Sequence, residues 1–557
     1  MESGRRSVSQ YEAVGRGSCM TVWIARRDDD EVAGELATAS GPLAGLRLAV
    51  KDNVDVAGLP TTAACPAYSY DPDSDAAVVS ALRAAGAVVV GKTNLDQFAT
   101  GLVGTRSPYG PVPDSRRPEY ISGGSSSGSA VAVARGEADI AIGTDTAGSG
   151  RIPAALQGIV GIKPTVGVLS TEGIVPACRS YDCATIFAPD LVLANRAMSA
   201  MAAGAPGRTW PADARLAAPP TPTVAVFREL PELDFEWKAA FARTVDDLIA
   251  RGAWIVEIDP TPFLAAAKLL YDGAIVAERY SAVGEFVDQH PDDVDPTVGG
   301  IISSARDLPA HQLVSDVAAL ERLRADAMTA LSGVDALLVP TAPFHPTIAE
   351  VEADPVGINS RMGTYTNFCN LFDLCAVAVP AGTAGEAQFG VTVLARAFED
   401  AVALDVAALV AGVESPSVAW PLAAASVVEL AVFGAHLRGQ PLEHQLNALG
   451  ARWAGPLATA PRYRLAALDT VPPKPAVTRC PPDEVGVSLA GERWLLSPAA
   501  LGQFLAALPA PMQLGSVEFD DGTWRTAFGC DGSAAAQGKD ISEYGGWRAA
   551  LEAGAVG

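Results

Sequence analysis

Short apolar runs rich in β-branched residues alternate with amphipathic stretches along most of this chain, and that alternation constrains the fold more than any other feature. "GLRLAVKDNVDVAG" (45–58) reads as a strand and its exit. "SDAAVVSALRAAGAVVVGKTN" (74–94) reads as a helix, a glycine stop and a buried strand over "AVVV". "ARGEADIAIGTDTAGS" adds a short strand, and "PTVAVFREL" with "EWKAAFARTVDDLIARGAWIVEI" gives strand, helix, strand. "VDALLVPTAP" and "CAVAVPAG" read as further buried strands. Strands that alternate with helices predict a layered α/β fold. Near residue 427 the pattern restarts with "VVELAVFGAHLRGQPLEHQL", crosses the Pro-rich "DTVPPKPAVTRCPPDE" (469–484), and continues in strand-like pieces, "GERWLLS" and "GSVEFDDGTWRTAFGC". The expected division is a first domain over 1–426 and a smaller α+β domain over 427–557.

Composition supports a large core: 49% of the 557 residues are apolar and 19% charged. Forty Lys and Arg against 64 Asp and Glu give a net charge of −24, which disfavours nucleic acid or an anionic membrane as partner. The eight cysteines include no CxxC pair, so neither a zinc ribbon nor a thioredoxin-type site is expected, and reduced, mostly buried thiols in a cytoplasmic protein are. "MESGRRSVSQYEAVGRGSCM" has no apolar core of a signal peptide, and no apolar run reaches membrane-spanning length.

"GAVVVGKT" (86–93) matches the phosphate-binding pattern GxxxxGK[ST] letter for letter. The mechanism behind that pattern needs a loop of backbone N–H groups ahead of a helix. Ala-Val-Val-Val at the variable positions belongs in a strand, so nucleotide binding is not expected here.

Two segments can carry chemistry. Lys51 ends an apolar strand; burial there would lower its pKa toward neutrality and leave an amine able to act as a general base. On this segment alone, a lysine snorkelling from a strand end explains the residue as well. The second segment is "EYISGGSSSGSAVAVARGEADIAIGTDTAGSGRIPAA" (119–155). It offers Ser122, Ser125, Ser126, Ser127 and Ser129 around Gly123, Gly124 and Gly128, and Ser149 after Gly148. The N–H groups of Thr146, Ala147, Gly148 and Ser149 could converge as an oxyanion hole, with Ser149 placed to attack a carbonyl. All five histidines lie at 290 or later, so none is a neighbour in sequence to serve as base. Arg151 reads as structural, in an ion pair.

Taken together, Lys51, "GGSSSGSA" and "GTDTAGSGRIPAALQGIVGIKPT" resemble the amidase signature family. The resemblance implies a mixed central sheet covered by helices, with Ser149 as nucleophile, Ser125 as a cis-peptide bridging serine and Lys51 as base. "SSSGS" stands where "SSGGS" is commoner, which leaves Ser125 in place. "GLPTTAACPAYSY", "GKTNLDQFATGLVGTRSPYGP", "YDGAIVAERY" and "TYTNFCNLFDLCAVAVPAG", with "GAHLRGQPLEHQL", "APRYRL" and "DISEYGGWRAALEAG", resemble the allophanate-hydrolysing branch of that family, whose second domain is built like γ-glutamylcyclotransferase. That resemblance implies allophanate as substrate, no cofactor and no metal, a homodimer, and a pathway link to urea carboxylase. It also implies that the Gly101 backbone touches substrate and that Tyr271 and Arg279 hold the substrate carboxylate. Eight residues apart, that pair would fall within about 80° on one continuous helix, and an Arg fork matches two carboxylate oxygens. A packed tyrosine and an Arg279–Glu278 pair remain the alternative. His436 is the candidate for proton handling in the second domain, against a turn histidine that satisfies backbone groups. "PPDEVGVSLAGERWLLS" departs from the regular strand pair of the branch, and "SCMTVWIARRDDDEVAGELATA" looks shortened at the region of dimer contacts. Two other readings stay open: another amidase-signature enzyme, whether a different amidase or the glutamine-hydrolysing component of a tRNA-dependent amidotransferase, which normally lacks the second domain, and a catalytically dead binding scaffold.

Overall fold

Eleven strands form one mixed sheet that organises the first three-quarters of the chain, as a computed structural model describing residues 21–556, apart from the side chains of Tyr271 and Asp272, shows. In chain order they are β1 (Trp23–Arg26), β2 (Arg47–Lys51), β3 (Val88–Thr93), β4 (Ile140–Asp145), β5 (Val160–Lys163), β6 (Cys183–Ala188), β7 (Thr223–Phe227), β8 (Trp254–Ile258), β9 (Ala336–Pro340), β10 (Cys375–Ala384) and β11 (Ala387–Ala395). Their order across the sheet is β1-β3-β2-β4-β6-β5-β10-β11-β9-β7-β8. β2 runs parallel to both β3 and β4, whereas β4 and β6, β5 and β10, and β10 and β11 are antiparallel. The apolar runs read as strands are strands because both faces of this sheet are covered: β3, β4, β6 and β9 are buried at every residue.

The parallel trio matters most for function. Because β2 and β4 are neighbours with Leu48 opposite Ile140 and Val50 opposite Ile142, their carboxyl ends open at one sheet edge, the usual place for a ligand in such sheets. The helix Ser127–Ala134, "SGSAVAVA", packs beneath that edge, and its first seven residues are buried. A helix buried all round cannot be amphipathic, and its serines are absorbed internally: Ser129 Oγ donates to Ile142 O at 2.9 Å. The phosphate-loop look-alike is β3 itself, with its Lys92 wholly buried beside Asp52.

The remaining chain forms a five-stranded sheet, β13-β16-β12-β18-β17, and a three-stranded one, β15-β14-β19. These comprise β12 (Val428–Val432), β13 (Arg452–Ala458), β14 (Tyr463–Leu468), β15 (Lys474–Arg479), β16 (Ala490–Leu496), β17 (Met512–Glu518), β18 (Trp524–Cys530) and β19 (Lys539–Asp540). They enclose a separate apolar core that includes Phe433, Trp494 and Phe528. The Pro-rich stretch holds β15, and "AGERWLL" is β16, paired on one side with β12 and on the other with β13. The irregularity expected around 481–497 is therefore confined to the residues before Ala490. The two units meet at a buried ion pair: Arg452 Nη2 donates to both carboxylate oxygens of Asp405, at 2.9 and 2.8 Å, while its Nε donates to Leu216 O at 2.7 Å. Asp405 sits on the helix Asp400–Ala411, which packs on β10 and β11.

Among the described residues no helix is long and apolar enough to cross a membrane. The seven described cysteines are free, and all but Cys480 are buried. Cys19 and the N-terminal segment read for a leader lie outside the described residues.

Candidate active site

Lys51 is the last residue of β2 and has no exposed surface. Its Nζ lies 2.7 Å from Ser125 Oγ and 2.8 Å from Thr144 Oγ1. Burial pulls its pKa down to about 7, against the upward pull of the Asp96, Asp145 and Asp182 carboxylates, and Arg279 adds to the lowering. An amine hydrogen-bonded to hydroxyls rather than to a carboxylate gives up its proton far more readily than a solvated lysine. Ser125 follows a cis peptide bond from Gly124, as the resemblance implied. The loop that carries it is tied to β4 through Ser126, whose Oγ donates to Thr144 O at 3.1 Å and accepts from Thr144 N at 3.3 Å.

Ser149 stands in the turn between β4 and the helix Ile152–Gln157 and is 3% exposed. Asp145, the last residue of β4, builds this turn. Its carboxylate accepts from Gly148 N at 2.9 Å and Gly150 N at 3.0 Å, and pairs with Arg151 Nε and Nη2 at 2.9 Å each. Arg151 is thus structural, as expected. Gly148 has φ of 128°, and a Cβ there would come within 2.4 Å of Thr366 Oγ1, so only glycine fits. The Ser125 loop abuts the helix that follows this turn: a Cβ on Gly123 would lie 3.0 Å from Pro153 Cα.

This geometry corrects the four-donor oxyanion hole. The N–H of Gly148 is directed at Asp145 and leaves the set. Among the described residues none accepts a hydrogen bond from the N–H of Thr146, Ala147 or Ser149. Thr146 is anchored instead by its hydroxyl, which donates to Asp182 at 2.5 Å; Asp182 also accepts from Ala177 N and Cys178 N.

At Gly101 the structure shows a close neighbour within the protein. A Cβ there would meet Asp96 Oδ2 at 2.5 Å, so the close approach that glycine permits is that of a buried carboxylate. Asp96 accepts from Val103 N, Gly104 N and Arg106 N, at 3.2, 3.0 and 3.0 Å, while its own N–H donates to Ser125 O at 3.1 Å. It moulds the loop under the bridging serine.

Tyr271 and Arg279 do not share a helix. The helix Thr261–Asp272 ends at Gly273, which is extended, and a short 3-10 turn over Ala274–Val276 precedes the helix Ala277–Gln289. Ala274 N donates to Asp316 Oδ2 at 2.7 Å, which fixes the break. The expected helical offset between the two residues therefore does not apply, and the Tyr271 side chain lies outside the described residues. Arg279 is 2% exposed and donates through Nη1 to Thr100 Oγ1 at 3.0 Å and Ala99 O at 3.4 Å. Glu278, the alternative partner, accepts from Ser180 N instead.

In the second unit His436 faces a cavity of about 630 Å³, lined also by Gln445, Lys474, Phe504, Met512 and Phe528. Its ring stacks on Phe528 at 4.8 Å, its Nε2 lies 2.9 Å from Gln445 Oε1, and burial lowers its pKa. It is a side chain on a cavity wall, not one satisfying a turn.

Sequence reasoning missed Thr144, Asp145, Asp96 and Asp182. The first two stand inside "GTDTAGS", where a hydroxyl and a carboxylate at the end of a buried strand were the available signal. Asp96 and Asp182 act on backbone N–H groups distant in sequence, and no local pattern marks them.

Residues 18–404 match the amidase family, and residues 428–552 match the allophanate hydrolase C-terminal domain. A urea amidolyase of Saccharomyces cerevisiae is 41% identical over 92% of the chain, although the chain spans only 30% of that protein's length. A glutamyl-tRNA(Gln) amidotransferase component from Halobacterium salinarum is 33% identical over 67% of the chain and 96% of its own. Among solved structures, the allophanate hydrolase of Kluyveromyces lactis superposes with a TM-score of 0.86 at 39% identity, covering 95% of this chain and 93% of that one. The sheet order, the Lys51–Ser125 contact beside the Ser149 turn and these matches agree: the chain belongs to the amidase family, and its second unit is an allophanate hydrolase C-terminal domain.

Proposed function

We propose that this protein hydrolyses allophanate at its terminal amide. The observation that supports the reading best is the wholly buried Lys51, its pKa lowered to about 7 and its amine within hydrogen-bond distance of Ser125. Neutral Lys51 takes the Ser125 proton as Ser125 takes that of Ser149. Ser149 Oγ then attacks the terminal carbonyl carbon. The oxyanion is held by the N–H groups of the 146–149 turn not committed to Asp145, and one such donor contributes about 3 kcal/mol in comparable acyl-transfer sites. The relay returns the proton to nitrogen, the C–N bond breaks and ammonia leaves. Water then cleaves the acyl-enzyme to N-carboxycarbamate, which decays to a second ammonia and carbon dioxide.

Arg279, with Tyr271, holds the substrate carboxylate and selects allophanate among small amides. Gly101 contributes backbone contact. The His436 cavity handles a proton in the decarboxylation of the product. The allophanate hydrolase C-terminal match favours this reading over glutamine hydrolysis, since the amidotransferase relative covers only about two-thirds of the chain. The longer urea amidolyases support a link to a urea-carboxylating activity. A homodimer in the cytoplasm belongs to the same proposal.

The test is ammonia release by the purified chain from allophanate, malonamate, biuret and glutamine. Allophanate should be turned over with the highest kcat/KM, and Ser149→Ala should remove that turnover while the fold survives. Preference for glutamine would overturn the substrate assignment, and normal turnover by Ser149→Ala would overturn the nucleophile.

A further inference from the structure

Four residues bearing side chains near the site adopt the left-handed backbone region, in two adjacent pairs: Ala63 and Ala64, with φ of 51° and 58°, and Phe98 and Ala99, with φ of 52° and 54°. That region is disfavoured for any residue with a Cβ and persists where the surroundings over-determine it. The two pairs brace each other, since Phe98 N donates to Ala63 O at 3.0 Å.

The residue that fastens them is Gln97. Its side chain is buried and uses both ends of its amide. Nε2 donates to Ala64 O and to Asp293 O, each at 3.2 Å, and Oε1 accepts from Asp295 N at 2.7 Å. Asp293 and Asp295 lie in the connection between the helix Ala277–Gln289 and the helix Pro296–Ser303. Arg279 is on the first turn of the former. The loop that begins at Gln97 thus grips this helical pair twice: at its connection, through Gln97, and at its guanidinium, through Thr100 Oγ1 and Ala99 O. An edge-to-face cluster of Tyr68, Phe98 and Phe286, with centroids 5.1 to 5.9 Å apart, fills the space between the grips. A neutral amide suits this task. It satisfies two carbonyls and one N–H at once, and adds no charge near Lys51.

We propose that Gln97 is a positioning residue for substrate specificity: by locking the connection that follows the Arg279 helix, it sets where the Arg279 guanidinium sits. The inference rests on the reading of Arg279 as the group that holds the substrate carboxylate. Removing the Gln97 amide takes a partner from Ala64 O, Asp293 O and Asp295 N, leaving Asp293 O only the Cys65 thiol, and lets the helical pair shift. A shift of about an ångström at a positioning group costs up to about a hundredfold.

Steady-state kinetics on the full chain test this. Gln97→Leu, of similar size without hydrogen bonds, should raise KM for allophanate about ten- to a hundredfold with kcat within about twofold. In an Arg279→Ala background the same change should add nothing, because both act on one contact. Should Gln97→Leu fail to fold by circular dichroism, Gln97→Asn keeps a neutral amide one methylene shorter and should raise KM by a smaller factor. An unchanged KM in the folded variant, a loss confined to kcat, or additivity with Arg279→Ala overturns the inference. An unchanged KM in Arg279→Ala itself overturns instead the reading on which it rests.

Discussion

Lys51 ends β2 and Lys92 is the penultimate residue of the neighbouring β3, opposite Val50, and neither has any exposed surface. Burial lowers both pKa values. Their partners differ. Lys92 lies 3.3 Å from Asp52 and donates to Thr61 Oγ1 and Pro60 O, at 3.0 and 3.2 Å. Burial pushes the Asp52 carboxyl up as it pulls Lys92 down, and each partner opposes the shift in the other. Lys51 has hydroxyls where Lys92 has a carboxylate. A buried amine next to an acid has its charged form favoured by that acid, as in a strut. A buried amine next to alcohols is free to be neutral, and a neutral amine is a base.

Substitution by methionine should separate the two most sharply. Lys51→Met should reduce kcat for amide hydrolysis by about 10⁴-fold or more, as loss of a base in a nucleophile relay does, while the melting temperature moves by only a few degrees. Lys92→Met strands Asp52 in a dry site and should cost about 3–5 kcal/mol of stability, with the surviving folded enzyme still active. Equal loss of activity and equal melting behaviour in the two variants would erase the distinction.

A smaller effect sharpens it. On the assigned base, kcat/KM should rise as pH increases through about 7 and then level off. The folded pKa of Lys51 lies below the ordinary 10.5, so between about 7 and 10.5 the unfolded chain keeps a proton that the folded protein has released. Stability from this group therefore rises with pH across that window and is absent below it. Lys51→Met should flatten this slope in pH-dependent denaturant melts, whereas Lys92→Met should leave the kinetic limb in place. The smallest effect concerns Thr144, whose hydroxyl is the second contact of the Lys51 amine. Thr144→Val should lower kcat by about tenfold and move the kinetic limb, since the shape is kept and one hydrogen bond is lost; an unmoved limb removes Thr144 from the relay.

The strands were legible because β-branched runs between glycines have few alternatives in a covered sheet. The proposed relay was legible because Lys51, Ser125 and Ser149 stand in motifs whose glycines the turns require. Three kinds of feature were not. The break at Gly273 hides in "YDGAIVAERY", which keeps a helical composition while Asp316, distant in sequence, accepts from Ala274 N and fixes the turn. The withdrawal of Gly148 N–H from the oxyanion set depends on which way one amide points. Asp96 and Asp182 owe their places to backbone partners scattered over many segments. Each is a matter of three-dimensional direction, which residue spacing does not encode.

The Arg452–Asp405 pair has a consequence for anyone who would cut this protein in two. Asp405 draws its neutralising cation from β13, across the boundary, and burial pushes its carboxyl upward against that attraction. An isolated first unit would lose the guanidinium that caps the Asp405 carboxylate, and an isolated second unit the carboxylate that holds Arg452. Severed halves should each melt earlier than the whole.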